Sequence, residues 1–80
     1  MRKIRFPLPR GGSGIPANLR ANEISVAIVL WCAMNGFVYQ DFKLEKIPEL
    51  GVVLTLPDSL TLAQFKLSWN RPDLSYKQLD

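Results

Sequence analysis

The chain predicts a small α+β domain in which one apolar helix packs on an antiparallel sheet of about three strands, preceded by an extended N-terminal arm. Three features carry this expectation: a charge-free run, ISVAIVLWCAMNGFVY, at 24–39; short apolar segments after Gly36; and a basic opening, MRKIRFPLPRGGSGIPANLR, rich in proline and glycine. Eighty residues allow one domain with a modest core, and a composition 48% hydrophobic and 21% charged is that of a folded protein. The expected organisation is an arm at 1–20, a body at 21–69 and a tail at 70–80.

In the arm, Pro7, Pro9 and Pro16 remove amide donors while Gly11, Gly12 and Gly14 add backbone freedom. Such a stretch neither propagates a helix nor suits a central strand, and at most residues 3–6 add a short edge strand to something else. Asn22 then offers a helix N-cap, and Glu23 places a negative charge in the first turn. Ile24, Ala27, Ile28, Trp31 and Met34 or Asn35 follow the 3.6-residue period, and Val26, Leu30 and Ala33 widen the stripe. Gly36 suits the left-handed position that ends a helix, with Phe37 placed for the accompanying apolar contact. Asn35-Gly36 is also hairpin chemistry, but the length of the run favours a helix over 22–35.

Strands are expected near 37–44 and 52–56, joined by a connection containing Pro48. Pro57-Asp58-Ser59 reads as a turn, after which Thr61, Ala63, Phe65, Leu67 and Trp69 alternate with polar residues and predict a third strand over 60–69. The sequence NRPDLSYKQLD at 70–80 reads as a tail.

A membrane span requires ~20 apolar residues, and ending the helix at Asn35 leaves about a dozen. The five cations before the run match the positive-inside pattern, so a single-pass accessory subunit spanning 24–39 stands as an alternative. No small-x-small cleavage site follows the run, so no cleavable signal peptide is expected and the location expected is intracellular or within an assembled particle.

Charge is distributed unevenly. Arg2, Lys3, Arg5, Arg10 and Arg20 precede every acid, whereas residues 23–80 hold seven acids against five cations. The net charge of +3 therefore describes a basic arm on a mildly acidic body. Clustered cations beside Phe6 suit phosphates and a base, which makes a small nucleic-acid-binding protein a second alternative.

Chemistry is mostly excluded. The chain has no histidine, and one cysteine, Cys32, supports neither an internal disulfide nor a zinc site within one copy. Asp41, Glu45 and Glu49 share a helical spacing, but Pro48 interrupts it and Lys43 and Lys46 supply compensating charge. Residues 12–17 fit a loose GxGxxA dinucleotide pattern, yet the prolines around them deny it the required strand and helix. No enzymatic activity, cofactor or metal is expected.

The expected function is that of a non-enzymatic structural or accessory subunit of a larger assembly, virion-like or multi-subunit, possessing other protein subunits or copies of itself as partners. Phe6, Leu8 and Ile15 are the expected apolar anchors, Arg2, Lys3, Arg5 and Arg10 the polar clamps, and Trp69 a further aromatic anchor. Removing residues 2–14 is then expected to abolish incorporation and leave the body folded.

Overall fold

The computed structural model describes residues 2–8 and 17–79. In chain order the elements are β1 (Arg2–Phe6), α1 (Ala17–Asn35), a 3-10 turn (Tyr39–Asp41), β2 (Lys43–Ile47), β3 (Gly51–Leu56), α2 (Ser59–Ser68) and β4 (Lys77–Gln78). The strands form one sheet in the order β2-β3-β1-β4, and every neighbouring pair is antiparallel. Two β-α-β units therefore interleave, each leaving room for a strand of the other, which is the ferredoxin-like connectivity. The α+β class and the antiparallel sheet agree with the expectation; there are four strands and two helices among the described residues.

Residues 2–6, expected in the arm, are extended but lie inside the chain's own sheet. β1 pairs with β3 over its whole length, from Arg2 opposite Leu56 to Phe6 opposite Val52, and with β4 through Ile4 and Arg5. The prolines that argued against a central strand stand just beyond it, at Pro7 and Pro9, so the amides of residues 2–6 stay free to pair. The segment Pro9 to Pro16 lies outside the described residues.

α1 begins at Ala17, five residues before the expected cap. Nothing in ANLRA opposes a helix, and Arg20 gains a partner one turn on, its guanidinium lying 3.2 Å from Glu23. The helix stops as its local sequence dictates. Gly36 takes φ +76°, the Phe37 amide donates to the Cys32 carbonyl at 2.9 Å, and the Phe37 ring stacks on Trp31 at 5.0 Å.

The expected strand at 37–44 is replaced by the 3-10 turn followed by β2, which runs on to Ile47. Residues 60–69 form α2 instead of a third strand. Asp58 caps this helix by accepting from the Thr61 amide at 2.8 Å, and Thr61, Leu62 and Phe65 make up its buried side. The period-two pattern coexisted with this helical one, and the cap decided between them.

Both helices cover one face of the sheet. Ile4 and Phe6 of β1, Val52, Leu54 and Leu56 of β3, and Ile24, Ile28, Trp31, Leu62 and Phe65 of the helices belong to a single core. Val53 and Thr55, the alternate residues of β3, are buried on the other face and stand outside that core.

Candidate functional site

The sandwich has two surfaces of interest, the outside of the helical layer and the open face of the sheet. α1 has a core side formed by Ile24, Ala27, Ile28, Trp31 and Cys32. One hundred degrees per residue places Leu19, Val26, Val29 and Leu30 on the opposite side and Met34 on the flank next to Ala27, and all five are exposed. α2 repeats the arrangement, with Leu60 and Leu67 exposed opposite Leu62 and Phe65. Of nine exposed large hydrophobics among the described residues, seven stand on the two helices, which is concentration rather than scatter.

Between the helix ends, Leu30, Trp31 and Met34 face Ser68, Asn70 and Arg71 across a cleft of about 120 Å³. Its walls are held in place from both sides. The Trp31 indole N–H donates to the Ser68 hydroxyl at 2.8 Å, and Arg71 reaches Asp73 at 2.8 Å and Glu23 at 3.4 Å. The Arg71 hydrogen bond holds the Asp73 carboxyl below its ordinary range.

On the open face, strand pairing aligns side chains from four strands. One row runs Lys43, Thr55, Lys3 across β2, β3 and β1, and the next runs Glu45, Val53, Arg5, Lys77 on to β4. The Arg5 guanidinium donates to the Leu50 carbonyl at 3.0 Å, and the Lys43 ammonium lies 3.9 Å from Glu45. Thr55 is 6% exposed, and its hydroxyl makes no hydrogen bond among the described residues.

The residues expected to bind a partner are thus divided. Lys3 and Arg5 point to the open face, whereas Arg2 and Phe6 alternate onto the helical face, where Phe6 is buried. Leu8 packs partly buried at the core's margin. Trp69 is half-buried, stacks on Phe65 at 4.7 Å, lies 5.6 Å from Phe6 and donates its indole N–H to the Leu74 carbonyl at 3.0 Å. Arg10 and Ile15 lie outside the described residues.

Lys43, Thr55 and Lys77 escaped the sequence reading because they come from three separate segments. The outer side of α1 escaped it as well, because the 3.6-residue period grouped Met34 with the core residues and periodicity alone does not say which side of a helix is covered. Cys32 is buried in the core, and burial pushes its thiol pKa up, away from the reactive thiolate. Among the described residues, no group of three or more potential ligands could hold a metal ion. Nor is any helix among them long and apolar enough to cross a membrane, the run 24–39 being divided between α1, Gly36 and the 3-10 turn. Compared with protein-family models, curated proteins and solved structures, the chain matches none.

Proposed function

We propose that the chain is a non-enzymatic structural or accessory subunit that docks into a larger protein assembly through the outer face of its largely apolar helix, α1, joined by α2. The observation that carries this reading is the stripe Val26, Leu30 and Met34 on α1 together with Leu60 and Leu67 on α2, where Met34 is 78% and Leu67 89% exposed. A helix apolar on both sides fits a protein interior, and here the sheet supplies only one of the two coverings. Covering each such side chain contributes about 1–2 kcal/mol, so a partner that buries the stripe gains several-fold that amount before the costs of association.

The cleft beside Leu30 and Met34 gives the interface a place for an inserted side chain, with Arg71 and Asn70 at its polar margin. Lys3 and Arg5 stand on the opposite face of the sheet and take no part in this contact.

A photo-crosslinking amino acid at position 30 or 34 is expected to capture one protein in the native complex, and the same group at Glu49, on the β2–β3 turn, to capture none. The captured protein and this chain should then form a pair from purified components. Leu30→Gln with Met34→Gln should abolish that pair and leave the melting temperature nearly unchanged, because both positions are exposed and glutamine is a good helix former. A pair that survives the double substitution sinks the reading.

A further inference from the structure

We propose that the open face of the sheet binds the backbone of single-stranded nucleic acid, with Lys3, Lys43 and the Thr55 hydroxyl holding one phosphate and Arg5 with Lys77 the next. This goes beyond protein docking and uses the opposite side of the molecule.

The strongest observation is Thr55. Its side chain is more than nine-tenths buried on the central strand β3, and Oγ1 has no hydrogen-bond partner among the described residues. A buried hydroxyl left this way costs free energy, and it is well used where an acceptor arrives from outside. Thr55 lines a depression of about 220 Å³ together with Lys3, Lys43, Gln40, Asp41 and Glu45. Lys3 and Lys43 flank it from neighbouring strands, about 9.6 Å apart at the backbone, a span that two flexible lysine stems close around one anion.

The second observation is independent. Arg5 and Lys77 are directly opposed across β1 and β4, and like charges so placed repel unless an anion lies between them. Arg5 spends one N–H on Leu50 and, as a guanidinium, has further donors in the same plane. Three acids lie beside these four cations: Asp41 and Glu45 share the depression of Lys3 and Lys43, with Lys43 3.9 Å from Glu45, and Glu49 lines the one shared by Arg5, Lys77 and a further cation, Lys46. The positive excess therefore lies along β1 and β4.

Successive residues on one face of a strand are about 6.8 Å apart, so the cations form a spaced series, which suits a repeating polyanion better than a single free phosphate. The paired residues of this face include no aromatic ring, and Phe42, which also lines the depression, is buried in the core, so contact is with phosphates and carries no base preference. The apolar residue at its centre, Val53, is buried, which leaves little to insert into a lipid surface.

The test is fluorescence anisotropy of labelled oligouridine and oligothymidine against the whole purified chain over a salt series. Binding should weaken with salt, and Lys3→Gln and Lys77→Gln should each reduce the slope of log affinity against log salt by about 0.7. Thr55→Val should weaken binding about tenfold without lowering the melting temperature, since it removes a donor that has no partner within the fold. Leu30→Gln with Met34→Gln should leave binding unchanged, which separates this proposal from the docking one. The proposal is overturned by absence of oligonucleotide binding at low salt, by unaltered slopes in both lysine variants, or by preference for phosphatidylserine vesicles or inorganic phosphate over oligonucleotide. Wild-type affinity in Thr55→Val would remove the hydroxyl from the site.

Discussion

Asp58 connects a local sequence signal to a pH effect. Its carboxylate accepts from the Thr61 amide and the Thr61 hydroxyl, both at 2.8 Å, and these bonds hold its pKa below the ordinary aspartate value. A folded value below the unfolded one means that the stabilisation is complete at neutral pH and is lost as pH falls through the folded value. Asp58→Ala should therefore lower the thermal midpoint at neutral pH, with the gap from wild type closing in acid. Asp58→Asn, which keeps a good cap without the charge, should stay near wild type at neutral pH. Circular dichroism melts across pH check both. Two glycines make a second contrast. Gly51 has φ +100°, and a Cβ there would fall on the Phe6 carbonyl oxygen, with Pro7 and Leu8 backbone atoms at 3.1 Å. Gly36 has φ +76° and open space around it. Urea titrations should show Gly51→Ala costing about 3 kcal/mol or more, and Gly36→Ala only about 1 kcal/mol. Equal costs would mean that β1 does not approach Gly51 so closely.

Among the elements, β1 separates the arm reading from the observed fold most sharply. A free arm is dispensable to stability, but β1 lies between β3 and β4 and contributes Ile4 and Phe6, 0% and 1% exposed, to the core. Deleting residues 2–8 should abolish cooperative unfolding by circular dichroism, because β4 loses the strand it pairs with, β1, and the core two large side chains. The expectation that the body folds without residues 2–14 is corrected on the same ground. α2 shows why a neighbouring segment was misread: Thr61, Phe65 and Trp69 satisfy both a period of two and an i, i+4 spacing. Exposed Leu60 and Leu67 erased the polar face that would have marked a helix. The cap at Asp58 was legible as turn chemistry, and its Thr61 partner was the missing part of the signal.

At the level of the whole molecule, the two helices, the sheet and the C-terminal segment meet at Phe65. Its ring lies 4.9 Å from Trp31, 4.7 Å from Trp69, 5.2 Å from Tyr76 and 6.4 Å from Phe6. Phe65→Ala should cost about 3–5 kcal/mol, and tryptophan fluorescence and far-ultraviolet circular dichroism should follow one coincident transition in the wild-type chain. Separate transitions would show that α1 and the 69–78 segment fold independently. The features that the sequence determined by itself are local ones: the stop of α1 at Gly36, strand β3 and the lack of histidine. Each depends on residues within a turn or two of one another. Tertiary structure alone decided that β1 is interior and that Lys3, Thr55 and Lys43 share a row. Strand pairing joins Arg2 to Leu56 and Ile4 to Gln78. Such pairing is chosen by which distant apolar faces can be buried together, a choice that propensity and spacing along the chain do not encode.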